Sequence, residues 1–327
     1  MDRRRFLESV AVLGAMGVAQ EVSGAERAGR RVEAAVRQVL KKKKAKGPAG
    51  QDENLVCIIS DLHVRPGKYQ ETQFVKTVDD ILALNPLPKY VLCLGDIAYL
   101  TGKVEEYAAA KVQLDRLAAA GMQVTLTMGN HDRRANFAEV FPDAAAQSLL
   151  QDRFVYRVET PRADFILLDS LQEGNDTKTW ITPGALNGEQ VEWLKAELSA
   201  RTGSKPVFVM AHHPLEEIKI GKLLMACPSC AGFIYGHKHI WNPGWIHVNY
   251  KDPTMMRTLC VPSTGHWGDI GFVLLRLGND RATATLRERE FFFPAPVREG
   301  EPKPEAWTEI ENEHRDAVCT FPYARPL

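Results

Sequence analysis

Short apolar runs rich in β-branched residues recur down the chain, and each breaks off into a polar string. The runs are Leu55–Ser60, Tyr90–Leu94, Gln123–Met128, Val207–Ala211 and Phe233–Tyr235. Continuous apolar stretches of this length predict strands buried on both faces. Between them, apolar residues fall at helical spacing at Phe74, Val78 and Ile81-Leu82, from Val104 to Leu117, and from Glu189 to Leu198. The later runs Met255–Val261, Phe272–Leu277 and Ala282–Leu286 follow one another with no helical pattern between them. Alternating β and α followed by consecutive strands predicts an α/β fold in one domain, with two mixed sheets and the helices outside.

The strings that follow the five runs are Asp61-Leu62-His63, Gly95-Asp96, Gly129-Asn130-His131-Asp132, His212-His213 and Gly236-His237-Lys238-His239. Open α/β sheets bind ligands beyond the carboxyl ends of their strands. The fold would therefore collect seven donors there: Asp61, His63, Asp96, Asn130, His212, His237 and His239. Imidazole nitrogen and carboxylate oxygen suit Mn, Fe, Zn, Co or Ni, and the lack of Cys among them argues against a thiolate zinc site. Two divalent ions roughly 3.5–4 Å apart need a shared anionic ligand. Asp96 suits that role, because Gly95 before it lets the backbone come close. Asn130 adds a neutral amide oxygen, which keeps the site positive enough to hold a phosphate. Asp61 and His63 stand two apart, which on an extended strand puts both on one face, and His237 and His239 repeat the spacing. His213 falls on the opposite face from His212, outside the ligand set. His247 and His314 read as ordinary histidines.

In this order the five strings resemble the calcineurin-like metallophosphoesterase superfamily, especially its cyclic-nucleotide-phosphodiesterase-like branch, over about residues 54 to 290. Phe165–Ser170 (FILLDS), Gly184, Leu186, Gln190 and Trp193-Leu194 add to the likeness. The resemblance implies a four-layer α/β/β/α sandwich of two mixed sheets flanked by helices. It implies two divalent metal ions, one on Asp61, His63, Asp96 and His239, the other on Asp96, Asn130, His212 and His237. It also implies a catalytic His131 with Asp132 orienting its ring.

The reaction expected is hydrolysis of a small phosphate monoester or diester, with a hydroxide shared between the ions as nucleophile. His131 would stabilise the phosphoryl group or protonate the leaving alkoxide. Arg134 is a candidate phosphate clamp, and His266, beside Trp267 in the loop STGHWGD, is a candidate lining of the substrate cleft. Gly95-Asp96-Ile97-Ala98-Tyr99 also fits the Gly-Asp-x-x-Tyr string of purple acid phosphatases, in which a tyrosinate binds ferric iron. Those enzymes lack the histidine that His63 supplies here, which favours Tyr99 in the wall of the site and leaves an iron-dependent monoesterase using Tyr99 as the second reading. A non-catalytic, metal-stabilised binding module is the reading from another class. Scaffolds that abandon catalysis tend to lose ligands or the catalytic histidine, and this chain keeps them all.

Composition narrows the partners. The 327 residues are 45% hydrophobic, enough for one large core. Lys plus Arg and Asp plus Glu balance at 41 each, so no global field favours nucleic acid. Residues 1–25 read as a twin-arginine signal peptide, with Arg3-Arg4-Arg5-Phe6-Leu7, a mild apolar stretch from Val10 to Ala19 and small residues at Ser23-Gly24-Ala25. That expectation names the twin-arginine export machinery as a partner and the periplasm, or export, as the destination. Residues 26–53 read as a basic spacer containing Lys41–Lys44, residues 54–293 as the catalytic domain, and residues 294–327 as an extended tail rich in Pro and Glu. Cys57, Cys93 and Cys260 lie in strand runs as small buried hydrophobes. Cys227 and Cys230 form a C-x-x-C, for which an oxidising compartment favours a local disulfide.

Overall fold

The computed structural model describes residues 50–173, 183–201, 203, 205–247, 254–290 and 317–324. The expected signal peptide, nearly all of the spacer and residues 294–316 lie outside the described residues.

Two six-stranded sheets carry the fold. The first contains β1 (Gln51–Ile59), β2 (Leu87–Cys93), β3 (Gln123–Leu126), β10 (Ile270–Leu277), β11 (Arg281–Glu290) and β12 (Val318–Pro322). Their order is β12-β11-β10-β1-β2-β3, with β1, β2 and β3 parallel and the remaining pairs antiparallel. The second contains β4 (Tyr156–Glu159), β5 (Asp164–Leu167), β6 (Val207–Ala211), β7 (Cys230–Tyr235), β8 (Asn242–His247) and β9 (Met255–Cys260). Its order is β4-β5-β6-β7-β9-β8, parallel from β5 through β9 and antiparallel at both edges.

Helices α1 (Tyr69–Leu82), α2 (Val104–Ala119), α3 (Arg134–Val140) and α4 (Pro142–Ala146) belong to the first half of the chain. Helices α5 (Gly188–Ser199), α6 (Leu215–Ile218) and α7 (Gly221–Ala226) follow the β4–β5 hairpin. On α1 the buried Phe74, Val78 and Ile81 recur at the spacing of one helix face. The start of α5 is set by Asn187, whose Oδ1 accepts the Gln190 N–H at 3.1 Å.

Strand alternation sorts the core into layers. Ile166 and Leu168 in the β5 segment, with Val207, Val209 and Ala211 of β6, pack with Leu194, Leu198 and Leu224 of the outer helices. The intervening Phe165 and Phe208 stack on each other with ring centroids 5.4 Å apart. Phe321 of β12 meets Phe208 edge-on at 5.3 Å, so an edge strand of one sheet is fastened to a face of the other. A fully buried phenylalanine side chain contributes about 1.5–3 kcal/mol.

Three expectations change. β1 begins at Gln51, inside the expected spacer, because Gln51 pairs with Leu87 and Asp52 meets Arg276 at 2.8 Å. The end of the expected tail is the edge strand β12, held by its ladder to β11 and by buried Phe321. No disulfide joins any of the six cysteines. Cys227 Sγ lies 3.3 Å from Ser229 Oγ while Cys230 Sγ lies 3.5 Å from Met256 Sδ, so the C-x-x-C pair is drawn to different neighbours.

Candidate dinuclear metal centre

Beyond β1 and β2 the two chains keep running side by side. The N–H groups of Asp61, His63 and Val64 donate to the carbonyls of Gly95, Asp96 and Ile97 at 3.0, 2.9 and 3.0 Å. This backbone is not extended. Asp61, His63 and Asp96 have φ of 53°, 44° and 50°, and His237 and His239 past β7 have 70° and 55°. Neither pair therefore lies on one face of an extended strand as expected, and left-handed turns present the side chains instead. Of the six non-glycine residues with positive φ among the described residues, these are five. Such conformations oppose stability by about 1–3 kcal/mol each and persist only where the surroundings over-determine them. The glycine before Asp96 serves as expected: a Cβ on Gly95 would lie 2.4 Å from the Gly129 nitrogen, and one on Gly129 would lie 2.1 Å from Asp96 Oδ1.

All seven candidate donors come together, in two groups. In the first, His239 Nε2 lies 3.0 Å from Asp61 Oδ1 and 3.2 Å from His63 Nε2. In the second, Asn130 Oδ1 lies 3.0 Å from His212 Nε2 and 2.9 Å from His237 Nδ1, and those two nitrogens are 3.2 Å apart. Asp96 belongs to both: its Oδ2 is 3.5 Å from His63 Nε2 and 3.2 Å from His212 Nε2. Its other oxygen accepts the His131 N–H at 2.8 Å, which fixes the carboxylate between the groups.

The far side of each ring sets its orientation. Nδ1–H of His63, His212 and His239 donates to the carbonyls of Tyr99, Leu94 and Trp267 at 2.8, 2.9 and 2.8 Å. That fixes each tautomer and turns Nε2 inward as a donor. His237 is reversed, with Nδ1 inward and Nε2 3.9 Å from Glu217 Oε1. Asp61 is held by the His237 N–H at 3.1 and 3.2 Å.

Charge within the cluster is sharply divided. Burial, reinforced by His239 and His131, pushes His63 down to about 3. Burial also opposes charge on His212, but the Asp96 carboxylate beside it wins and lifts it to about 9. Burial and His212 lower His237. His239 is raised because Asp61 outweighs burial. Asp96 is held well below the usual carboxylate range: burial alone would raise it, and His212 and His131 more than reverse that. Lone pairs and carboxylates converging at 3 Å repel unless positive charge lies among them. Protons supply it in the metal-free protein, and divalent cations that favour imidazole and carboxylate fit the same donors.

Around the donors, His131 is placed within reach and Asp132 is not its partner. His131 Nδ1–H donates to Leu100 O at 3.1 Å, and its ring lies 5.0 Å from that of His63. One ring nitrogen of His131 falls within 4.8 Å of donor atoms of His63 and Asp96. The expectation that Asp132 orients this ring is overturned. Its carboxylate is fully buried and accepts N–H groups of Ile97 and Ala98 at 3.1 Å and Gly129 at 2.9 Å, besides the Tyr107 phenol. Asp132 binds the loop after β2 to the loop after β3.

Arg134 is also reassigned. Its Nε and Nη2 donate to Asp169 at 2.7 Å each, Nη2 donates to Leu171 O at 2.7 Å, and Nη1 reaches Glu173 at 3.2 Å. A guanidinium committed to two acids is no phosphate clamp. His266 does reach the site, its ring 4.6 Å from that of His63. Burial, with His239 and His131 nearby, pushes it down to about 4. Tyr99 contributes its carbonyl to His63, and the Arg65 guanidinium lies 5.0 Å from its ring. His213 is fully buried with Nδ1 2.8 Å from Ser170 Oγ, and its ring packs 4.8 Å from that of His237. Asp169, Tyr107 and Glu217 escaped the sequence reading. Only Asp169 had a signal, as the polar break in FILLDS after β5.

Residues 55–241 match the family model described as calcineurin-like phosphoesterase. Two solved structures share the fold at low identity. A dimetal phosphatase from Danio rerio is 16% identical with a TM-score of 0.56, the alignment covering 75% of this chain and 98% of that one. PhoD is 12% identical with a TM-score of 0.51, covering 77% and 69%. No curated protein matches the chain significantly.

Proposed function

The chain belongs to the calcineurin-like phosphoesterase family and is a metal-dependent phosphoesterase, and from that premise we propose that it hydrolyses small phosphate esters with two divalent ions. One ion would be held by Asp61, His63, Asp96 and His239, and the other by Asp96, Asn130, His212 and His237. The observation that carries this reading is the position of Asp96 Oδ2, within 3.5 Å of a ring nitrogen from each donor group. A single anion shared in this way is what a pair of cations needs to sit close together.

Bound divalent ions supply Lewis acidity toward phosphoryl oxygens and lower the pKa of water at the site. The chain's own residues do the rest. Fixed tautomers on His63, His212 and His239 keep the inward nitrogens as lone-pair donors. His131 spends its Nδ1–H on Leu100 O, so Nε2 can donate to a phosphoryl oxygen or a leaving alkoxide only when the ring is doubly protonated. Help of that kind is worth roughly 10²–10⁴-fold. The Arg3-Arg4-Arg5 start supports export by the twin-arginine route as part of the same reading.

The test is Asp96→Ala, assayed for bound metal by elemental analysis and for turnover on a panel of monoesters and diesters. The expected result is loss of both ions and of hydrolysis. A variant that purifies with two ions and near-normal turnover would sink the assignment.

A further inference from the structure

The loop of residues 263–269 brings two aromatic side chains against the Asp61–His63–His239 group. The ring of His266 lies 4.6 Å from His63, 5.7 Å from His239 and 5.6 Å from Tyr99, the last at 89°. Trp267 lies 4.7 Å from the His239 ring, tilted by 35°, yet remains 55% exposed. Few large apolar side chains of the described residues are so exposed, and this one touches a candidate ligand. Its place against the His239 ring, beside the proposed reaction centre, sets it apart from the other exposed apolar side chains.

The loop that presents it is anchored. The Asp269 N–H donates to His239 O at 2.8 Å, the Ser263 N–H to Asp269 O at 2.9 Å, and the Gly271 N–H to Ser263 O at 2.8 Å. The His266 N–H donates to Ser263 Oγ at 2.9 Å, and Trp267 O accepts His239 Nδ1–H at 2.8 Å. The indole is therefore carried on backbone already fixed to the site, and little ordering remains to be done when a ligand arrives. Arg65 over Tyr99 has no carboxylate partner among the described residues, and it places a cation at the same wall.

Resting on the phosphoesterase reading, we propose that Tyr99, His266 and Trp267 form the subsite for a planar aromatic group in the ester's organic part, with Trp267 as its stacking face. The site would select esters whose phosphoryl group carries an aromatic ring over those with alkyl substituents. Arg65 favours the anionic ester over the free aromatic alcohol.

Phosphonates test this without turnover, because their P–C bond is not hydrolysed. Binding of phenyl-, cyclohexyl- and methylphosphonate to the metal-loaded protein would be measured by calorimetry. Phenylphosphonate should bind roughly five- to a hundredfold more tightly than methylphosphonate, the range expected for stacking on one aromatic residue. Cyclohexylphosphonate, similar in size but not planar, should gain much less. The preference should vanish in Trp267→Ala and return in Trp267→Phe. Both variants retain the carbonyl that orients His239, so metal content by elemental analysis should match the parent. Equal affinity for phenyl- and cyclohexylphosphonate, or a ring preference that survives Trp267→Ala, would overturn the subsite. The two readings fail separately. A protein that prefers the ring but hydrolyses no ester refutes the hydrolase alone, and one that hydrolyses esters with no ring preference refutes the subsite alone.

Discussion

The phenol of Tyr107 donates to Oδ1 of Asp132 at 3.0 Å and accepts the Arg133 N–H at 2.7 Å, tying α2 to the loop that carries Asn130 and His131. Tyr107→Phe removes the donor and orphans a backbone N–H, a loss of about 1–3 kcal/mol. Asp132→Asn turns one acceptor into a donor facing N–H groups and should lose more. Urea unfolding followed by circular dichroism is the measurement. The expected ranking is Asp132→Asn less stable than Tyr107→Phe, and both less stable than the parent. An Asp132→Asn protein of unchanged stability would restore the idea that Asp132 acts on the His131 ring.

His131→Ala should leave metal content and stability near the parent values and lower kcat, because its contact tightens in the transition state. A nitrophenolate departs without a proton and an alkoxide does not. The variant should accordingly be more impaired on alkyl esters, by roughly 10²–10⁴-fold if proton donation dominates. Equal loss on both ester types would show that His131 acts on the phosphoryl oxygens instead.

For Arg134 the expected outcome separates structure from binding. Asp169 is fully buried and would be left without its guanidinium in Arg134→Met, an uncompensated buried charge worth about 3–5 kcal/mol. The unfolding midpoint should drop sharply. A phosphate clamp would behave otherwise, raising KM severalfold at unchanged stability.

Protonation gives the fourth prediction. His212 stands at about 9 in the folded protein against 6.5 for the ordinary side chain. Its pairing with Asp96 thus stabilises the metal-free protein fully below pH 6.5, and that contribution is lost as pH rises through about 9. A metal ion must displace this proton. Calorimetry at pH 7.5 in buffers of differing ionisation enthalpy should show proton release on metal binding, and affinity should climb with pH up to about 9. Binding with no proton exchange would contradict the Asp96–His212 geometry.

Strand ends and the donors behind them were legible because both are local: an apolar run stops and a polar string begins. The backbone shape at those strings was not. Left-handed turns at Asp61 and His63 arise from pairing with residues 95–97, a relationship between segments that spacing within one string does not reveal. Asp132 and Arg134 were misread for the same reason, since their partners Ile97 and Asp169 lie 35 residues away. Of the four strands missed, β5 is interior but only four residues long, and β4, β8 and β12 are edges. β8 opens Asn242-Pro243-Gly244, residues that interior strands avoid, and β12 is five residues long, with Cys319 and Phe321 as its buried positions.

The left-handed backbone at Asp61, His63, Asp96, His237 and His239 sets selection against stability at the same five positions. Glycine would relax each turn by about 1 kcal/mol or more while deleting a donor, and at Asp61, Asp96 and His239 the broken ion pair outweighs that gain. A descendant released from the need for catalysis would therefore not decay evenly. Its earliest accepted substitutions should gather at His63 and His237, where losing function and gaining a sturdier fold are one event.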